Sequence, residues 1–180
     1  MRVISGSARG RKLIAPPGLD TRPTTDRVKE SVFNIISPYL PADMVLDLFS
    51  GSGALGIEAL SRGCAHGIFV ENQKPALDAT IQNISLARVS DRAEVVRGDA
   101  LTYLGRTNRK FDIIFLDPPY NTGLLNKAVA KIAENKLLSE NGIIVAESEH
   151  MGEEPENEFF DIIKRVKYGK TAVFLLRTVH

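Results

Sequence analysis

A chain of 180 residues, 43% hydrophobic and 25% charged, suits one domain on one core and leaves little room for a second catalytic domain. No apolar run approaches the roughly 20 residues that span a bilayer, and Met1-Arg2-Val3-Ile4-Ser5-Gly6 lacks the basic-then-apolar layout of a signal peptide. One cysteine, Cys64, excludes an internal disulfide. With three scattered histidines it makes no zinc site, so the expectation is a cytoplasmic protein without a structural metal, Cys64 being a small core or surface residue.

The net charge of +1 is unevenly spread. Residues 1–30 carry Arg2, Arg9, Arg11, Lys12, Arg22, Arg27 and Lys29 against Asp20, Asp26 and Glu30, a balance of +4 that leaves −3 for the rest. A basic arm on a mildly acidic body is a common form of nucleic-acid-binding appendage. Residues 2–5 and 11–15 read as two short strands around the turn Gly6-Ser7-Ala8-Arg9-Gly10, and Pro16-Pro17-Gly18 breaks the chain after them. The expectation is a hairpin over residues 1–20, set apart from a second unit over residues 21–180.

From Asp26, Val28, Val32, Ile35, Ile36 and Tyr39 recur at helical spacing until Pro38 and Pro41 end the segment. Strand and helix patterns then alternate. Met44–Leu48 reads as a buried strand, followed by a Gly-rich turn and a helix over about 54–62. Gly67–Glu71 is a second strand, and Leu77, Ile81 and Ile84 mark the next helix. Ala93–Val96 is a third strand and Phe111–Asp117 a fourth; a helix through Leu125, Ala128, Val129 and Ile132 leads to a fifth, Gly142–Ala146. Strand-like runs near 159–167 and 171–178 have no helix between them, as in a hairpin. The pattern predicts an α/β fold: a mostly parallel sheet covered on both faces, with an antiparallel hairpin at one edge. In such sheets ligands bind beyond the C-terminal ends of the strands.

Those ends carry acids. Asp47 closes the first strand ahead of Gly51, Gly53 and Gly56, a G-x-G-x-x-G that lets backbone approach a ligand over a helix N-terminus. That match alone also suits a dinucleotide, but a carboxylate beside a pyrophosphate is unfavourable, whereas it suits a ligand with an ammonium group. Glu71, twenty residues beyond Gly51, is placed to take both hydroxyls of a ribose. Asp99, between Gly98 and Ala100, is placed to accept an adenine amino group while a neighbouring amide meets a ring nitrogen. S-adenosylmethionine offers an ammonium, a ribose and an adenine, and no phosphate.

Asp117-Pro118-Pro119-Tyr120 follows the fourth strand directly. A conjugated exocyclic amine is a poor nucleophile because its lone pair is drawn into the ring. Methylating it requires acceptors that grip the amino hydrogens and turn the lone pair outward. The Asp117 carboxylate and Pro118 carbonyl supply two from a loop stiffened by consecutive prolines, and Tyr120 offers a face on which an extruded base stacks.

Asp47 to Gly53, Glu71, Asp99 and Asp117 to Tyr120 resemble the class I S-adenosylmethionine-dependent amino-methyltransferases. Arg2-Val3-Ile4-Ser5-Gly6, Gly10-Arg11-Lys12-Leu13 and Arg22-Pro23-Thr24-Thr25-Asp26-Arg27 narrow the resemblance to RsmD-type bacterial 16S rRNA (guanine-N2)-methyltransferases, over essentially the whole chain. The resemblance implies a Rossmann-like fold with a seven-stranded sheet. It implies S-adenosylmethionine held by Asp47, Phe49, Gly51, Gly53, Glu71, Asn72, Asp99, Ala100 and Asp117, with Asp117, Pro118 and Tyr120 at the reacting amine. It implies a guanine of small-subunit rRNA as target, in an assembled or assembling particle. The basic arm makes Arg9, Arg11, Lys12 and Arg22 the candidates for gripping its phosphates, and a monomer is the default expectation for a small enzyme docking onto a large particle.

Asp-Pro-Pro-Tyr serves a DNA adenine-N6 methyltransferase equally well; the short chain and the Arg-Pro-Thr segment weigh against that alternative. A glutamine methyltransferase would more often carry Asn where this chain has Asp117, and a dinucleotide oxidoreductase offers no role for the motif. A non-catalytic RNA-binding module would have no need of four intact acids.

Overall fold

The computed structural model describes residues 1–17, 26–149 and 154–179. Arg22 and the Arg-Pro-Thr segment lie outside the described residues.

Seven strands form one sheet in the order β3-β2-β1-β4-β5-β7-β6. The first five, β1 (Met44–Asp47), β2 (His66–Glu71), β3 (Ala93–Arg97), β4 (Phe111–Leu116) and β5 (Leu138–Ser148), run parallel. β7 (Thr171–Thr178) returns antiparallel to β5, and β6 (Phe160–Tyr168) pairs antiparallel with β7 at the edge. This is the Rossmann-like layout expected, including the C-terminal hairpin. Alternate residues of each strand feed cores on opposite faces: Val45, Ile113, Phe115, Ile143 and Val145 lie on one side, Leu46, Ile114, Leu116, Ile144 and Ala146 on the other. Burial on both faces is why these strands read as continuous apolar runs.

The helices are α1 (Asp26–Ile35), α2 (Ala54–Ser61), α3 (Lys74–Leu86), α4 (Ala100–Arg106) and α5 (Leu124–Glu134). No helix among the described residues is long and apolar enough to cross a membrane. α4 escapes the apolar pattern because it is only seven residues long and buries only Ala100 and Leu104. Ile81 does not belong to the inward stripe of α3; it is exposed, and polar Thr80 and Asn83 take the buried positions beside Leu77 and Ile84. Cys64 is a core residue whose sulfur accepts from the Ala42 amide at 3.3 Å.

The N-terminal arm is a hairpin but is not set apart from the core. Its strands are reduced to one antiparallel bridge, Arg2 to Lys12, flanked by Val3 N–H to Arg11 O at 2.9 Å. Val3, Ala8 and Leu13 are buried in the core on the α2 face. The amides of Ile4 and Ser5 donate to Glu58 (2.9 and 3.1 Å), and those of Ser7 and Ala8 to the Ser61 carbonyl and hydroxyl (2.8 and 2.9 Å). Glu58 also meets Lys29 in a fully buried ion pair, Nζ to Oε2 at 3.3 Å, while Lys29 donates to the Arg2 carbonyl at 2.6 Å. The arm is thereby stapled to α1 and α2 by backbone hydrogen bonds built around an ion pair that has no water to fall back on. Two of the basic residues counted in the arm are thus spent internally, Lys29 on Glu58 and Arg2 on Asp26 at 3.3 Å.

Candidate active site

A parallel sheet opens a crevice where the chain, having wound outward from β1 through β2 to β3, returns to the other side of β1 as β4. A cleft of about 610 Å³ lies there, lined from the C-terminal ends of β1, β2, β3 and β4. Its walls contain Asp47, Phe49, Gly51, Glu71, Asn72, Asp99, Ala100, Asp117, Pro118 and Tyr120. Gly53 is not among them: it is buried one layer below as the N-cap of α2.

Asp47 is 3% exposed at the floor, and its Oδ2 accepts the Gly56 amide in the first turn of α2 at 3.0 Å. Burial pushes its carboxyl up to about 8, the Gly56 bond opposing and the nearby Asp117 and Glu71 reinforcing the shift. A side chain at Gly56 would strike the Phe69 ring at 2.4 Å and press on Asp47, so helix and strand approach this closely only at glycine. Gly51 and Gly53 adopt positive φ, 57° and 80°, which turns the loop tightly over the helix N-terminus.

That loop is held from behind by residues the apolar pattern had passed over. Thr80 donates to the Gly51 carbonyl at 2.7 Å, and Asn83 to the carbonyls of Ser52 and Ile14, both at 2.8 Å, while accepting the Ile14 amide at 2.7 Å. Asn83 therefore ties the glycine loop to the N-terminal arm, and the arm in turn contributes Met1, Ala15 and Pro16 to the cleft wall. The available signal was polar residues at helical spacing on a stripe that should be apolar.

Glu71 folds back on its own turn: Oε2 accepts the Gly51 amide at 2.9 Å and Oε1 the amides of Asn72 and Gln73 at 3.1 and 3.0 Å. A ribose at this carboxylate would share acceptors already in use. Asp99 caps α4, its Oδ2 taking the Thr102 amide (2.8 Å) and hydroxyl (3.0 Å), so the acid read as an adenine acceptor also starts a helix.

Asp117 follows β4 and keeps part of its surface open to the cleft, but the carboxyl is walled in and burial pushes it up to about 6. Pro118 is buried, Pro119 exposed and Tyr120 half-buried at the mouth. Beside this loop stands an acid that the sequence reading missed, Glu147 of β5, 4% exposed with Oε1 buried and without a hydrogen-bond partner among the described residues. Burial, with Asp117 and Asp47 nearby, holds its carboxyl well above the usual range.

The chemistry of this donor set suits a cation. Carboxyls at the floor and wall leave anions unwelcome, while backbone amides, ribose-range acceptors and apolar surface from Phe49 and Leu48 suit an adenosyl group carrying a positive charge. Arg9, Arg11 and Lys12 of the arm do not line this cleft. Arg11 donates to the carbonyl of Leu86, the last residue of α3, whose first turn borders the cleft. Twelve residues of helix place that contact about 18 Å away, toward the N-terminal edge of the sheet. Arg9 and Lys12 are exposed on the same arm.

The chain matches the family described as Conserved hypothetical protein 95 over residues 1–177. YlbH of Bacillus subtilis is 45% identical over 98% of both chains. Ribosomal RNA small subunit methyltransferase D of Escherichia coli is 38% identical over 83% of this chain and 75% of its own. Among solved structures, yhhF from Escherichia coli superposes with a TM-score of 0.88 at 36% identity, covering 99% of this chain and 97% of that one.

Proposed function

The chain belongs to the Conserved hypothetical protein 95 family of RsmD-type methyltransferases, and from that premise we propose that it methylates the exocyclic N2 of a guanine in 16S rRNA. Its methyl donor is S-adenosylmethionine, and its substrate class is ribosomal RNA. The observation that carries the finer reading is the convergence of Asp47, Glu71, Asp99 and the Asp117-Pro118-Pro119-Tyr120 loop on one cleft at the ends of four adjacent parallel strands.

In this reading the Gly51 turn and Asp47 receive the methionyl end of the donor, with Phe49 and Asn72 alongside. Glu71 takes the ribose, and Asp99 with the Ala100 amide takes the adenine. The donor supplies an electrophilic methyl on a positively charged sulfur. Asp117 and the Pro118 carbonyl accept the two amino hydrogens of a guanine stacked on Tyr120, which aims the nitrogen lone pair at that methyl. Transfer to that nitrogen would leave the donor's sulfur neutral and the amine positively charged, beside the Asp117 carboxylate. One N–H proton then leaves to the Asp117 carboxylate or to water. Orientation and electrostatic fit do the catalysis.

The enzyme acts in the cytoplasm as a monomer, on assembled or assembling small subunits, and the shape of the particle selects the guanine. Arg9, Arg11, Lys12 and Arg22 hold phosphates; for Arg9, Arg11 and Lys12 this is a grip remote from the target, on a substrate large enough to span both ends of the sheet.

The test is Asp117→Ala. The reading predicts loss of transfer by two orders of magnitude or more, with cofactor affinity within a few-fold of the parent. Equal loss of both would contradict this division of roles.

A further inference from the structure

We propose that Glu147 is a positioning residue for Asp117: it keeps a proton on its buried carboxyl and presents it to Asp117, so that Asp117 stays ionised and fixed to receive the amine. The proposal rests on the methyl-transfer reading above.

Strand register brings the two together. β4 and β5 pair in parallel with Leu116 beside Ala146, so the next row sets Asp117 beside Glu147. Val145 and Phe115 are buried in the core of the α1–α2 face, and two residues on, Glu147 and Asp117 continue that face; Asp47 shares it as the neighbour of Phe115. Three carboxyls therefore meet at the ends of three adjacent strands. On its other side Glu147 pairs with Val173 of β7, which is uncharged. The buried cation of this face, Lys29, is committed to Glu58 and the Arg2 carbonyl.

Three neighbouring carboxyls with no cation between them among the described residues do not all ionise. Asp47 and Glu147 are equally deep, at 3% and 4% exposed, but Asp47 accepts the Gly56 amide whereas the buried Oε1 of Glu147 has no partner among the described residues, so Glu147 is the one best suited to stay neutral. A buried polar atom left unpaired costs free energy, so its retention calls for a purpose. An O–H on Glu147 supplies one: beside Asp117 it gives the carboxylate a donor without adding negative charge. Glu147 keeps this proton through the reaction, while Asp117 remains the group that meets the amine.

Two variants test this, Glu147→Gln, which keeps a donor and has no charge, and Glu147→Met, which fills similar volume without a donor. The proposal predicts that Glu147→Gln keeps kcat within about threefold of the parent and its acid limb unmoved. Glu147→Met should lose tenfold or more in kcat with cofactor KM little changed, and its acid limb should move to higher pH. Infrared difference spectra of the cofactor-free protein at neutral pH should lose one protonated-carboxyl component in Glu147→Gln. A Glu147→Gln loss as large as that of Glu147→Met would show that the ionised form is needed and overturn the proposal. So would parental kcat and pH profile in Glu147→Met, or an unchanged infrared band in Glu147→Gln. The parent enzyme's own transfer in the same assay tests the underlying reading separately, and the infrared result does not depend on it.

Discussion

Replacing Glu58 by Leu should cost this fold more than most core truncations. The carboxylate is fully buried and serves four donors: the Lys29 ammonium at 3.3 Å, the Ile4 and Ser5 amides at 2.9 and 3.1 Å, and the Arg62 guanidinium at 2.9 Å. Its loss leaves a buried cation, the Arg62 guanidinium and two part-buried amides without their acceptor, a penalty of about 4 kcal/mol. Lys29→Met is milder, about 3 kcal/mol, because Glu58 keeps Arg62 and both amides. In the double variant no fully buried charge is stranded, but the Arg62 guanidinium, the Arg2 carbonyl and the two amides still lack these partners, so its cost is about 3 kcal/mol rather than the sum of about 7. With a urea slope of about 2 kcal/mol per molar, Glu58→Leu should lower the unfolding midpoint by about 2 M, read by circular dichroism. A cost below about 1 kcal/mol, or additive single and double variants, would refute the view that this pair holds the arm to the body. If the view stands, cutting away the arm measures folding before it measures RNA binding.

Raised carboxyls make cofactor affinity depend on pH. Asp47, pushed up to about 8, is partly protonated in the free protein, and a cationic ligand beside it selects its ionised form. The dissociation constant should therefore fall as pH rises from about 6 to 8, by up to about tenfold per unit for one linked proton, measured by calorimetry. Stability of the free protein runs the other way. A carboxyl whose folded value lies above its unfolded one favours folding while protonated, and that advantage is lost as pH climbs from about 4 toward 8; Asp47→Asn should flatten the decline. An affinity independent of pH over this range would contradict the cationic-site reading. For the arm, Arg9→Ala with Arg11→Ala should leave kcat unchanged and reduce the slope of log affinity against log salt by about one to two, measured on small subunits. An unaltered slope would remove these residues from the RNA interface.

Much of this architecture was legible because its signals are local. The parallel strands announce themselves as short apolar runs, and the acids that line the cleft stand at the ends of those runs, where sheet geometry requires a site. What was hidden depends on partners distant in sequence. The arm reads as separate because Val3, Ala8 and Leu13 look like any hairpin residues until Glu58 and Ser61 are brought up against the arm's backbone. Glu147 falls just past the apolar run Gly142–Ala146, and its burial appears only when the neighbouring strands β4 and β7 flank it. Asp99, read as a ligand acceptor, drew attention away from the start of α4, which it caps.

The most direct test of the central claim is transfer of labelled methyl from S-adenosylmethionine to unmodified small ribosomal subunits, followed by nucleoside analysis of the RNA. Label in N2-methylguanosine is the predicted result and would establish base and atom together. Label in another nucleoside, or none despite bound cofactor, would contradict the assignment to guanine N2.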